Sequence, residues 1–166
     1  MRRAIKVLAA AAAMSVLSAG TALATGDPLH VFTGTAAGDT LRGTAKADTM
    51  KGMGGDDLLR GFGGGDTLYG GSGHDGLYGG SGDDEIRGGS GDDRAEERTV
   101  HGGSGNDTIY GDGGEDAIYA GPGEDTVYSV ADGEGDWVDC GPGTDTVKKG
   151  SDQNLDRFID CERFVD

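Results

Sequence analysis

Proline occurs three times, cysteine twice and tryptophan once in this chain of 166 residues, and aromatic residues make up 6% of it. Positive charge is scarce too: 14 Lys plus Arg stand against 30 Asp plus Glu, a formal net charge of −16. Each shortage excludes something. A collagen-like helix needs abundant proline and a strict period of three, and neither is there. A nucleic-acid binder needs a basic surface, and this one is strongly acidic. Hydrophobic residues reach only 34%, too little for the broad apolar core of an ordinary domain of this length. What is abundant is glycine, 35 residues against a background of about 7%. Disorder remains, or a repeat protein in which glycines hold fixed conformational positions.

The first 24 residues read as a secretory signal peptide. Arg2, Arg3 and Lys6 form a positive start, Val7–Leu17 is an alanine-rich apolar run, and Ala22-Leu23-Ala24 offers small residues for cleavage before Thr25. Ser15, Ser18, Gly20 and Thr21 interrupt the run, so a permanent membrane span is not expected. A secreted, extracellular chain follows from this reading. Cleavage would leave 11 positive and 30 negative groups, a net charge of −19. Such a chain repels itself and resists collapse unless something cationic completes it.

A nine-residue period organises the rest. Its cleanest units are Gly70-Gly71-Ser72-Gly73-His74-Asp75-Gly76-Leu77-Tyr78 and Gly79-Gly80-Ser81-Gly82-Asp83-Asp84-Glu85-Ile86-Arg87. Position six is aspartate at Asp39, Asp48, Asp57, Asp66, Asp75, Asp84 and Asp93. After a five-residue insertion, Arg94–Arg98, it returns at Asp107, Asp116 and Asp125, then at Asp136 in a distorted unit and at Asp145. Position eight is apolar throughout: Leu41, Met50, Leu59, Leu68, Leu77, Ile86, Val100, Ile109, Ile118, Val127, Val138 and Val147. Glycines at positions one, two and four permit a tight turn over the first six residues. Positions seven to nine then form a very short strand whose middle side chain points inward. One inward residue per unit is too little core alone, so the expected fold is all-β, a solenoid of stacked parallel coils. With two units per coil, residues 18 apart lie at strand spacing, about 4.8 Å.

That stacking brings aspartates 18 apart between successive turns, beside carbonyls of the glycine-rich loops. Carboxylates and carbonyls with no His or Cys in phase make an all-oxygen site suited to calcium. Magnesium prefers a small rigid octahedron. His30, His74 and His101 are too scattered for zinc. Twelve turns in two stacks allow ten sites. Ala37, Lys46 and Glu134 stand where position four wants glycine, which leaves seven well-formed pairs: 57/75, 75/93, 93/116, 66/84, 84/107, 107/125 and 125/145. Seven calcium ions would bring −19 to −5, and the chain is expected to fold as it binds them.

The units GGSGHDGLY, GGSGDDEIR and GGSGNDTIY resemble the GGxGxDxUx nonapeptide of repeats-in-toxin (RTX) proteins, also called haemolysin-type calcium-binding repeats. The resemblance spans residues 34–148 and implies a right-handed parallel β-roll with calcium held by the position-six aspartates and loop carbonyls. Larger family members carry a separate catalytic or pore-forming domain and leave through a channel that reads a C-terminal signal. The present layout is similar to that of small secreted members, with a cap at 25–33 before the roll and another at 149–166 after it.

Cys140 and Cys161 are expected to form a disulfide in an exported chain, on adjacent layers. Leu155, Phe158, Ile159, Phe164 and Val165 gather in a tail that would close the apolar end of the solenoid. No HExxH, GxSxG or GK[ST] motif occurs, and the Asp56-Asp57 and Asp83-Asp84 pairs recur in repeat phase, so no enzyme is expected. The different-class alternative is an adhesion or polysaccharide-binding module using an outward Thr and Tyr face, with Thr49, Thr67, Thr108, Thr126 and Thr146 beside Tyr69, Tyr110 and Tyr128. β propensity alone also accounts for those residue types. Calcium ions and an extracellular polysaccharide are thus the candidate partners of an expected monomer.

Overall fold

The computed structural model describes residues 21–22, 30–95, 98–129, 133–150 and 156–165. Among them there are seventeen strands and no helix. In chain order these are β1 (Thr21–Ala22), β2 (Val31–Thr33), β3 (Thr40–Arg42), β4 (Thr49–Gly54), β5 (Leu58–Gly63), β6 (Thr67–Ser72), β7 (Gly76–Ser81) and β8 (Glu85–Ser90). They continue as β9 (Arg94–Ala95), β10 (Arg98–Ser104), β11 (Thr108–Gly113), β12 (Ala117–Tyr119), β13 (Thr126–Ser129), β14 (Trp137–Asp139), β15 (Thr146–Lys149), β16 (Arg157–Ile159) and β17 (Arg163–Val165).

Successive strands alternate between two parallel sheets. One runs β1-β3-β5-β7-β10-β12-β14-β16, with β9 at its side, and the other runs β17-β15-β13-β11-β8-β6-β4-β2. Leu59 therefore pairs with Leu77, 18 residues on, and Leu68 with Ile86. Each coil is two nonapeptides, as the period requires. All twelve position-eight residues, Leu41 through Val147, have 0% exposure and form one column between the sheets. Phe32 of β2 extends this column at the N-terminal end. Burying one branched aliphatic side chain contributes roughly 1.5–3 kcal/mol. The column thus does for the whole stack what no single unit could.

The strands are longer than the repeat predicts. β6 covers positions seven to nine and then one to three of the following unit, and β5, β7 and β8 do the same. The glycines there do not end the strand. They let it pair while turning, since position two lies at φ 120° in Gly71 and 119° in Gly80 without leaving the ladder. Met53, Phe62 and Asp112 occupy the same position with φ of 87°, 81° and 68°.

Of the expected signal peptide, all but Thr21–Ala22 lies outside the described residues; that dipeptide pairs with β3. No helix among the described residues is long and apolar enough to cross a membrane. At the other end, β16 and β17 add one more rung to each sheet. Phe158 packs on the core and meets Phe164 edge-on at 5.2 Å, with the Lys149 ammonium over both rings. Phe164, Ile159 and Val165 remain exposed, so Phe158 carries the apolar closure among the described tail residues. Leu155 lies outside them. Cys140 and Cys161 form the expected disulfide, with 5.2 Å between their α-carbons.

Candidate metal centre

The six residues that turn from one sheet to the other build two loop edges. The turns ending at Asp39, Asp57, Asp75, Asp93, Asp116 and Asp136 form one edge. Those ending at Asp48, Asp66, Asp84, Asp107, Asp125 and Asp145 form the other. All twelve of these aspartates are buried, none more than 8% exposed. Twelve buried carboxylates in a chain this acidic demand a reason, because an ionised group away from water is costly unless it is paired.

One oxygen of each has a fixed partner. The Asp57 N–H donates to Asp75 Oδ1 at 2.8 Å, and Asp75 to Asp93 at 2.6 Å. Asp66 donates to Asp84 at 2.7 Å, Asp84 to Asp107 at 2.9 Å, and Asp93 to Asp116 at 3.0 Å. Asp107 donates to Asp125 and Asp125 to Asp145, both at 2.8 Å. All seven expected pairs are thus adjacent rungs, and so are 39/57, 48/66 and 116/136. The ladder also runs on into the tail. Asp136 donates to Asp156 Oδ1 and Asp145 to Glu162 Oε2, at 3.1 and 2.9 Å. Those two acids stand 20 and 17 residues from their partners, so the 18-residue period does not reveal them.

The second oxygen separates two kinds of turn. In Asp57, Asp66, Asp75, Asp84, Asp107, Asp125 and Asp145, Oδ2 is sealed from solvent and accepts no hydrogen bond. A sealed acceptor of this kind costs about 1–3 kcal/mol, and more when charged. In the first two units the same oxygen is satisfied within its own turn. Thr35 gives Asp39 Oδ2 its N–H at 2.6 Å and its hydroxyl at 2.8 Å, and Thr44 does the same for Asp48 at 2.6 and 3.0 Å. Asp48 Oδ1 also meets His30 Nδ1 at 2.9 Å. Threonine at position two thus closes these turns on themselves, where the other units have Gly, Met, Phe or Asp.

Glycine is required where the layers crowd. A β-carbon at Gly61 would overlap Asp66 Oδ2 and lie 2.6 Å from the Gly79 carbonyl oxygen. One at Gly73, where φ is 134°, would overlap the Gly55 carbonyl oxygen one layer away. The same clash recurs between Gly82 and Gly64, and between Gly91 and Gly73. Position-four carbonyls therefore stack from layer to layer, and position-one carbonyls such as that of Gly79 border the buried carboxylate oxygens.

Burial lifts these carboxyls well above the usual range. Asp57, Asp84, Asp93 and Asp125 are pushed up to about 7, and Asp66 and Asp107 to about 6. Loss of water is the first cause in each case. The N–H from the neighbouring layer pulls the other way, and nearby aspartates add repulsion, as Asp107, Asp66 and Asp83 do at Asp84. Asp75 and Asp145 move up for the same first reason.

No group of three or more His, Cys, Asp or Glu side chains converges among the described residues. A metal on these edges would thus rest on a carboxylate pair and be completed by backbone carbonyls, the all-oxygen mixture that a hard cation of high coordination number takes. The residues fit such an ion on one observation above all: seven sealed carboxylate oxygens have no other partner. Among curated proteins none matches the chain. The family model of the RTX calcium-binding nonapeptide repeat (4 copies) matches residues 33–61, 60–95 and 99–127. Past that match the coils continue from β13 into β15; Ala120 within the match and Cys140 beyond it replace the first glycine and are buried. Repeat, parallel two-sheet solenoid and matched segments agree: this chain belongs to the RTX calcium-binding nonapeptide repeat family.

Proposed function

We propose that this protein is a secreted β-roll that folds as calcium enters between its turns, with the ion serving as structural cement. The sealed Oδ2 atoms of Asp57, Asp66, Asp75, Asp84, Asp107, Asp125 and Asp145 carry the reading. Asp93 and Asp116 complete the pairs 75/93 and 93/116, giving about seven ions. Asp39 and Asp48 are left out of the ligand set, because their threonines already engage Oδ2. Bound calcium supplies positive charge and oxygen coordination to the edges. The chain's own part is to hold carboxylate pairs at layer spacing and to keep side chains off the gap with glycine. A calcium titration followed by circular dichroism tests this. Full β signal in excess chelator would overturn it.

A second reading, the polysaccharide-binding module, is favoured by one cleft. The expected Thr and Tyr face on the β4–β15 sheet has its ring faces occupied. Tyr110 and Tyr128 stack at 4.2 Å, the Arg87 guanidinium lies 3.9 Å over Tyr110, and Lys148 caps Tyr128. On the opposite sheet, Tyr119 and Trp137 stand 38% and 40% exposed around Ala117, with Arg157 at the rim of a cavity of about 420 Å³. Tyr119 has one face stacked on His101 at 4.8 Å, and its exposed side together with Trp137 and a guanidinium donor suits a neutral pyranose ring. Trp137 is the single tryptophan, so its fluorescence reports directly. An unchanged emission with a panel of neutral oligosaccharides sets this reading aside.

A further inference from the structure

The five-residue insertion folds back as a hairpin, with Arg98 and Thr99 of β10 antiparallel to Ala95 and Arg94 of β9. It lies against the edge whose turns end at Asp57, Asp75, Asp93 and Asp116. Position five of that edge is a ladder of exposed Asp56 and His74 and half-buried Asp92 and Glu115. The His74 N–H donates to Asp56 Oδ1 at 3.1 Å, His74 Nδ1 lies 2.7 Å from the Asp92 carbonyl oxygen, and the Glu115 N–H donates to Asp92 Oδ1 at 3.2 Å.

Two arginines cross this ladder. Arg98 Nη1 donates to the His74 carbonyl and stands 3.6 Å from Asp56 Oδ2. Arg94 pairs with Glu115 and reaches Asp92 Oδ2 at 3.8 Å. Two guanidinium groups thus meet three carboxylates spread over four layers. The other edge has a similar ladder without this cover. There the Asn106 N–H donates to Asp83 Oδ1 and the Glu124 N–H to Asn106 Oδ1, each at 2.8 Å. Neither Asp83 nor Glu124 joins an ion pair among the described residues.

We propose that the hairpin is a built-in counter-ion: Arg94 and Arg98 take over, on one edge, part of the charge neutralisation that calcium performs on both. The proposal rests on the calcium reading above. A guanidinium is charged at every relevant pH and is delivered by the chain itself, so it is present when the metal is not. Each exposed pair is weak, about 0.2–1 kcal/mol. In a solenoid, however, each layer is held only by its neighbours, so pairs that tie Asp56 to Glu115 act on the same three interfaces. In metal-free protein the hairpin edge is therefore the last to open and the uncovered edge the first.

Hydrogen exchange on the full chain, read peptide by peptide in excess chelator and again in calcium, tests this. In chelator, wild-type peptides over residues 72–78 and 90–95 should exchange roughly tenfold more slowly than those over 81–87 and 104–110, the factor expected from three weak pairs. Arg94→Ala with Arg98→Ala should erase that difference, and Arg94→Lys with Arg98→Lys should retain much of it. In calcium the wild type and the alanine variant should exchange alike. Equal exchange of the two edges in wild-type chelator samples would overturn the proposal, as would an alanine variant that exchanges like wild type there. Wild-type exchange indifferent to calcium at every peptide would instead overturn the calcium reading itself, and needs no variant to see.

Discussion

Replacing Asp84 by Asn should move the metal-free and calcium-loaded proteins in opposite directions. The side chain keeps its shape, and its Oδ1 can still accept the Asp66 N–H that now lies at 2.7 Å. What it loses is charge. The Asp84 carboxyl is pushed from 3.8 up to about 7, first by burial and then by Asp107, Asp66 and Asp83. Taken in full, that rise is worth about 4 kcal/mol against the ionised folded state; relaxation of the layers around an unpaired buried charge reduces it to ~2 kcal/mol. At about pH 8 the carboxylate is ionised folded and unfolded alike, so the whole penalty acts and Asn removes it. In calcium the balance reverses, because Asp84 belongs to two pairs, 66/84 and 84/107. Losing two ions held at 100 times their dissociation constant costs about 5 kcal/mol, leaving the loaded variant ~3 kcal/mol weaker once the relieved repulsion is counted. Circular dichroism should show more β signal than wild type in chelator and a lower urea midpoint in calcium, and calorimetry should count about two fewer ions. A shift of the same sign in both conditions, or an unchanged ion count, refutes the assignment of Asp84 as a ligand.

Three further outcomes follow from the same geometry. Acid should favour the metal-free roll: its raised carboxyls bind protons that the unfolded chain has released, so stability is complete below about pH 4 and is lost as pH rises through 6 to 7. Far-ultraviolet dichroism in chelator should therefore gain β signal from about pH 8 to about pH 5, and a decrease contradicts the shifts. Gly73→Ala must hold φ near 134° while its methyl meets the Gly55 carbonyl oxygen, costing about 3 kcal/mol and raising the calcium midpoint severalfold; an unchanged midpoint means the layers part freely there. Cys140→Ala with Cys161→Ala should lose about 3 kcal/mol by urea unfolding while ions at 57/75 and 66/84 remain countable by calorimetry.

The apolar column, the aspartate columns and the disulfide were legible because each follows from a fixed period or from residue type alone. Leu68 and Asp75 sit where a nine-residue unit must put them. Strand length was not legible, since glycine at position two reads as a turn and only the layer register shows that Gly71 still pairs with Met53 and Gly89. Asp156 and Glu162 escaped because the tail changes the spacing to 20 and 17. The self-closing turns of Asp39 and Asp48 could have been suspected from Thr35 and Thr44, whose hydroxyls compete for the same oxygen. Arg94 and Arg98 could not, because what they face lies up to 42 residues away in sequence, at Asp56.

Because neighbouring nonapeptides go to opposite sheets, residues nine apart are strangers and residues 18 apart are partners. The smallest length by which such a chain can grow or shrink without reassigning its surfaces is therefore the pair of units. Removing one nonapeptide would leave every repeat locally intact, yet it would send all downstream strands to the other side and join the covered edge to the uncovered one. Removing two would only shorten the roll. Parity, which no single unit carries, is thus a heritable property of this architecture.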